Sequence, residues 1–339
     1  MVEQALTVCL GMGVDSSAML IEMHKRGIRP TSITFADVGS ERPDTYSFIP
    51  IFRQWLKDVD FPDVTICTYE PQEATSARYR DAVVDVTTRL GIQLTELELT
   101  RLSRIYGNMV ANSTLPGIAF ARKSCSIKWK LQAQEPPRIQ HPAHLATWHS
   151  GQKVIKAIGF DAGETHRTFA TGEGVNIGSM AGIPKFSQRY DVRYYLREWG
   201  YHRPDLAKII SDAGLPVPPK SACFFCPSAK NWEVASLRQD YPHLYELALE
   251  MERLYQAGSH FRGFDTWSVT AKNKQTKEVI KWQVPATNIG EARGSARATL
   301  DDTQRPFKWT IGCTQSIVGL HRTKSWLEQA SEKLVVLNG

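Results

Sequence analysis

VCLGMGVDSSAML, residues Val8–Leu20, reads as a buried strand, a tight glycine loop and the start of a helix. Glycines at such a junction let the backbone curl until several N–H groups point at one place. The helix N-terminus adds about half a positive charge there, so the junction is suited to an anion. Ser16 and Ser17 can donate hydroxyl hydrogen bonds to the same anion. The residues also suit a plain turn in which Asp15 or Ser16 caps the helix. Neither G-x-x-x-x-G-K-[ST] nor G-x-G-x-x-G is present, so the loop of common ATPases and the dinucleotide fingerprint are both excluded.

Outward from this loop, short apolar runs alternate with helical spacing. Ala5–Leu10, Thr31–Ala36, Val64–Tyr69 and Lys153–Phe160 read as strands, with a further one in FSQRYDV. Helices are expected over Ser16–Arg26, stopped by Gly27, and from Pro43 to about Lys57 with Tyr46, Ile49, Phe52 and Leu56 inward. Residues 73–135 read as mostly helical, and His202–Ala213 and Tyr241–Gln256 as further helices. Strand–helix alternation predicts an α/β fold, a parallel sheet covered by helices on both faces. Beyond Ser259 the pattern weakens to short strands at Trp267–Thr270 and Val279–Val284, then a polar stretch from Asn288 to Gln304. The expected division is residues 1–200 and a smaller, irregular, cysteine-containing region, 201–339, with the boundary in the interval 190–220.

The 339 residues are enough to bury a substantial core. Hydrophobic content is 42% and charged content 22%, as in an ordinary globular protein. No apolar run approaches the ~20 residues that cross a bilayer. MVEQALTVCL lacks the pattern of a signal peptide, so a cytoplasmic protein without a membrane partner is expected. The 41 basic and 35 acidic side chains leave a net charge of +6, which permits a nucleic-acid partner without demanding one. Trp148, Trp199, Trp267 and Trp309 could stack on bases or belong to the core.

Cysteines are Cys9, Cys67, Cys125, Cys223, Cys226 and Cys313. Cys9 and Cys67 fall inside expected strands and read as small core residues. Cys223 and Cys226 form C-x-x-C followed by Pro227, and with Cys125 and Cys313 make four thiolates. That number suits a 4Fe–4S cluster or a structural Zn2+, and unligated or redox thiols are the third reading.

GMGVDSS resembles the S-G-G-x-D-S pyrophosphate loop of the adenine nucleotide alpha hydrolase superfamily. Gly13, Asp15 and Ser16 match; Gly11 stands where the family has Ser, and Met12 where it has Gly. ADVGSERPDTYSF resembles D-T-G-x-x-x-P-E-T of the phosphoadenosine phosphosulfate reductase branch, through Asp37, Gly39, Pro43 and Thr45. RKSCSIKWK resembles its R-x-C-[ST]-x-x-x-K region. IGFDAGETHR resembles its G-x-R-x-x-E-S-x-x-R loop through Gly159, Glu164 and Arg167, with Asp161 in place of Arg.

The resemblance implies a nucleotide-binding fold and chemistry at the α–β bond of ATP. Gly11, Met12, Gly13, Val14 and Ser17 would hold pyrophosphate, and Asp15 would reach it through Mg2+. Asp15, Ser16, Lys128 and Arg167 are the implied catalytic residues, Arg122 and Lys123 further cations. Asp37, Gly159, Asp161 and Glu164 would complete the nucleotide site, although Asp37 also suits an Asx turn. Iron–sulfur members favour a 4Fe–4S cluster on Cys125, Cys223, Cys226 and Cys313. The reductase's E-C-G-[IL]-H nucleophile segment is not intact, since in GCTQSIVGLH Cys313 is separated from Gly319-Leu320-His321. The resemblance therefore points to sulfur incorporation, as in DNA phosphorothioate modification, with a cysteine desulfurase and other modification-system subunits as partners. A sulfonucleotide reductase, a tRNA-thiolating adenylating enzyme and a non-catalytic ATP-gated assembly subunit are the alternatives.

Overall fold

The computed structural model describes residues 3–116, 125–136, 140–164, 188–259, 266–285, 289–300 and 309–315. Five parallel strands form the main sheet: β1 (Leu6–Cys9), β2 (Ser32–Ala36), β3 (Val64–Cys67), β4 (Val154–Ile158) and β5 (Tyr190–Arg193), in the order β3-β2-β1-β4-β5. Helices α1 (Val14–Lys25) and α2 (Pro43–Asp58) follow the first two strands. After β3 come α3 (Glu73–Leu90), α4 (Glu96–Leu102), α5 (Ile105–Asn112), a π-helical turn (Ser126–Leu131), a short 3-10 turn (Gln132–Gln134) and α6 (Pro142–His149). The short α7 (Tyr195–Glu198) precedes α8 (Arg203–Asp212), α9 (Asn231–Asp240) and α10 (Pro242–Ser259). This is the α/β architecture expected from the alternation.

The two-residue period of the strands gives the sheet two unlike faces. Leu6, Val8, Ile33 and Phe35 join Met19, Leu20, Met23, Phe48, Phe52, Leu56, Leu206 and Ile210 in an apolar core. The opposite face is polar, although buried. His144 on α6 reaches the Ser32 hydroxyl at 2.9 Å, and Ser32 donates to Thr7 at 2.9 Å. Thr34 donates to Gln134 at 2.6 Å, and the Lys156 ammonium pairs with Glu135 at 2.6 Å. These polar groups under the sheet thus have partners, as burial requires.

In α2, Phe52 and Leu56 face inward as expected, but its first half presents Thr45 and Phe48 more deeply than Tyr46 and Ile49. Thr45, Phe48, Phe52 and Leu56 face inward, Ile49 is half-buried, and Tyr46 turns its phenol to Asp37. Stacking of Phe48 on Phe52, centroids 5.5 Å apart, puts the larger aromatic surface in the core. Cys67 is buried and Cys9 half-buried. Burial pushes both thiols up, Cys67 to about 12.

Described residues between 203 and 254 pack on the sheet unit. α8 lies along α1, and Phe224 and Phe225 share a second core with Tyr106, Trp129 and Leu247. A three-stranded antiparallel sheet, order β7-β6-β8, is built from β6 (Thr266–Asn273), β7 (Val279–Pro285) and β8 (Trp309–Gln315). The expected polar stretch 288–304 contains a helix, α11 (Ile289–Thr299), because it packs on this sheet with Ala296 buried and Leu300 clustered with Ala271. Among the described residues no helix is long and apolar enough to cross a membrane.

Candidate functional site

The strand order reverses direction at β1: β2 and β3 lie on one side, β4 and β5 on the other. In open parallel sheets the crevice at such a point, beyond the carboxyl ends of the strands, is where ligands sit. Two loops border it here, residues 11–17 after β1 and 159–164 after β4. They touch: a Cβ on Gly159 would stand 2.8 Å from the Cα and 2.9 Å from the N of Ser16.

The first loop curls around the Ser16 hydroxyl. Gly11 N–H donates to Ser16 Oγ at 2.9 Å, and Ser16 Oγ donates to the Gly13 carbonyl at 3.4 Å. Met12 holds φ at +56°, the left-handed region, with its side chain fully buried. Glycine adopts this conformation freely, and Met12 occupies it at some strain. Gly13 is the extended residue before α1, whose first turn includes Val14, Asp15 and Ser16. Ser17 Oγ is buried and has no hydrogen-bond partner among the described residues.

Carboxylates crowd the mouth of this crevice. Burial raises the pKa of Asp15; the Arg203 guanidinium opposes that rise, and Glu164 and Asp161 add to it. One Arg203 nitrogen, Nη1, reaches both Asp15 oxygens. Asp161 is buried, and its Oδ1 accepts from Gly163 N–H at 2.7 Å. Ala162 N–H donates to the Tyr201 carbonyl at 2.8 Å, which ties this loop to the start of α8. Arg203 lies outside every motif that the sequence displays. Its signal was the HRPDL start of a helix, visible in the sequence but mute about which helix it would face.

Asp37, at the end of β2, is occupied within the fold. Its Oδ1 accepts from Gly39 N–H and the Tyr46 hydroxyl, each at 2.8 Å, and its Oδ2 accepts from Arg104 at 2.8 Å. This is the Asx-turn role. Gly39 has φ +77°, and a Cβ there would lie 2.0 Å from the Arg101 carbonyl oxygen. Burial, then the Asp37 charge, pushes the Tyr46 phenol well up.

The C-x-x-C loop runs beside the segment after β2. Cys223 bridges antiparallel to Glu41, Phe224 N–H donates to Ser40 at 3.0 Å, and Arg42 N–H donates to Ala222 at 3.2 Å. Cys226 N–H closes a tight turn on the Cys223 carbonyl at 3.0 Å. Glu41, fully buried, accepts from Lys130 at 2.7 Å and from Ser221 at 3.2 Å. Burial raises the Cys223 thiol, Glu41 raises it further, Lys130 opposes, and Cys226 and Cys125 add to the rise. Burial disfavours the Lys130 ammonium, but Glu41, Cys223 and Cys226 outweigh it and hold its pKa up.

Cys125, Cys223 and Cys226 therefore share one electrostatic environment. Even so, no group of three or more His, Cys, Asp or Glu among the described residues is arranged to hold a metal ion. Cys313 lies in β8, paired in register with Val269; its side chain is outside the described residues. The cysteine loop also meets the first loop: a Cβ on Gly13 would lie 3.5 Å from Ser221, two residues before Cys223.

Lys128 is aimed at aromatic rings, 5.2 Å from the centroids of Tyr69 and Trp129. Arg167, Arg122 and Lys123 lie outside the described residues. Trp148 donates to the Arg189 carbonyl at 2.9 Å, and Trp199 stacks on Tyr195 under the Arg26 guanidinium, so both are engaged within the fold. The side chains of Trp267 and Trp309 are outside the described residues. No family model matches the chain, and no curated protein matches it.

Proposed function

We propose that the chain is a cytoplasmic ATP pyrophosphatase that activates a substrate for sulfur incorporation, with the DNA backbone as acceptor and a cysteine desulfurase as sulfur source. One observation carries the reading. The glycine loop and the Gly159–Glu164 loop meet at the point where the parallel strand order reverses, beside the N-terminus of α1. Backbone amides of Met12, Gly13 and Val14 there suit the two terminal phosphates of ATP, while the Gly11 amide holds the loop closed on Ser16 Oγ.

In this reading an acceptor oxygen attacks the α-phosphorus. The α–β bond breaks, and pyrophosphate leaves with the bonding electron pair. The outer sulfur of a desulfurase persulfide can then attack the adenylated acceptor, with AMP leaving, and a thiol reductant supplies the two electrons that cleave the resulting S–S bond and leave one sulfur on the acceptor. The protein's contribution is positioning and charge stabilisation. Asp15 would hold Mg2+ against the leaving group, Ser16 and Ser17 would orient the loop, and Arg167 and Lys128 would offset developing charge. Asp161 and Glu164 would bound the nucleotide, and Asp37 would organise the segment beside it. Among the described residues, Cys125, Cys223 and Cys226 form no metal-binding group, so a 4Fe–4S cluster, or Zn2+, would need them drawn closer with Cys313 as fourth ligand; either would then brace the loop that abuts Gly13.

The test is conversion of ATP to AMP and pyrophosphate by anaerobically purified protein, with and without DNA. Asp15→Ala and Ser16→Ala should each reduce pyrophosphate release at least tenfold while the fold persists; unchanged turnover would refute the loop assignment. A brown preparation absorbing near ~400 nm supports the cluster, and a colourless, zinc-containing one refutes it. Sulfite release from a sulfonucleotide would move the assignment to the reductase. ATP binding without pyrophosphate, with DNA and desulfurase present, would leave an assembly subunit.

A further inference from the structure

Asp15 is in the first turn of α1 and Arg203 in the first turn of α8, and the two helices pack along one another. Their N-termini therefore open on the same crevice. Arg203 is held there by local structure: Pro204 follows it inside the helix start, and His202 N–H donates to Asp205 Oδ2 at 2.9 Å. The hydrogen bond from Ala162 to Tyr201 fixes the carboxylate-bearing loop against the same turn. We infer that Arg203 is a phosphate-binding residue of the site, paired with Asp15 only until a nucleotide enters. The inference rests on the proposed reading of the glycine loop as a pyrophosphate site.

Charge decides the point. A pyrophosphate group entering this crevice meets Asp15, with Asp161 and Glu164 nearby, and three carboxylates repel it. Cations must therefore bridge. Mg2+ is a hard cation that takes carboxylate and phosphate oxygens together, so it competes for Asp15. The arginine that releases Asp15 is left beside the anion. Its side chain is 50% exposed, and only Nη1 is used in the Asp15 pair. Among the described residues it has no other hydrogen-bond or ion-pair partner, so the remaining nitrogens of the fork are open to phosphate oxygens. Asp15 is the stand-in anion: Arg203 exchanges carboxylate for phosphate as Asp15 exchanges arginine for Mg2+.

Binding of inorganic pyrophosphate, measured by calorimetry with and without Mg2+, tests this on the full chain. Arg203→Met should weaken Mg2+-dependent pyrophosphate binding at least tenfold with the unfolding midpoint unchanged, and Arg203→Lys, keeping charge but not the fork, should fall between. Asp15→Asn should abolish the gain in affinity that Mg2+ gives, a readout that a merely structural pair would not move. Unchanged or tighter binding in Arg203→Met overturns the inference, as does wild-type protein that binds no pyrophosphate. ATP turnover is scored separately. Arg203-dependent binding without AMP formation refutes the pyrophosphatase reading alone, and AMP formation with Arg203-independent binding refutes the arginine's role alone.

Discussion

Gly159 and Ser16 approach so closely that a single methyl group cannot stand between them: a Cβ on Gly159 would lie 2.8 Å from the Ser16 Cα. The obstacle is backbone, which cannot swing aside as a side chain would. Gly159→Ala should therefore destabilise the fold by about 1–3 kcal/mol through overpacking and displace the loop around Ser16. Gly151→Ala is the control, since its φ of +79° brings strain but nothing lies within 4 Å. Urea denaturation together with ATP binding checks both. Loss of ATP affinity in Gly159→Ala alone is the expected outcome; equal affinity in the two variants would separate this contact from the site.

Met12 sets two effects against each other. Glycine would relieve left-handed strain worth roughly 1–2 kcal/mol, but removing a fully buried methionine side chain costs about 2–5 kcal/mol. Packing wins, so Met12→Gly should be destabilised by roughly 1–3 kcal/mol. Met12→Ala keeps the strain and loses most of the packing, so it should be worse than glycine. Denaturation midpoints rank them, and alanine above glycine would contradict the balance.

Glu41 has no exposed side-chain surface, and Lys130 is the cation beside it. Lys130→Met would leave a carboxylate buried without a counter-charge, at about 3 kcal/mol. Adding Glu41→Gln should recover part of that loss, because the orphaned charge is then gone. Equal stability of the single and double variants would show that the pair is not coupled.

His144 links stability to pH. Burial, with His141 and then Lys156 nearby, pulls its pKa down to about 4, from about 6.5 for an unperturbed histidine. A depressed folded-state value means that the unfolded chain takes up the proton first. The contribution of His144 is therefore whole above about pH 6.5 and is lost as pH falls toward about 4. His144→Gln should lose less stability than wild type between pH 7.5 and 4.5, by denaturant titration at the two values. Equal losses would place the pH response elsewhere.

Much of the fold was legible because its signals are local. Apolar runs, Gly27 and Pro43 mark strands and helix ends within a few residues of where they stand. The first half of α2 was legible only in part, since the choice between Phe48 and Ile49 as the deeper residue depends on what the sheet presents. Helix α11 was missed because its stretch offers too little apolar surface to register as periodic; the buried Ala296 and Leu300 need the second sheet to matter. Among site residues, Gly13, Asp15, Ser16, Gly159 and Asp161 come together as the motifs suggested. Asp37 proved to be spent on Gly39, Tyr46 and Arg104, partners that the motif does not encode.

Sequence alone determined the strand–glycine loop–helix unit, the α/β class and the C-x-x-C turn, all properties of short spacings and of which residues tolerate a turn. Only the tertiary structure decided that Arg203 meets Asp15 across 188 positions, that Lys130 meets Glu41, and that Ser221 brings the cysteine loop to Gly13. The reason is geometric. Backbone chemistry acts over a few residues, whereas strand order and helix packing choose which distant charges share one crevice.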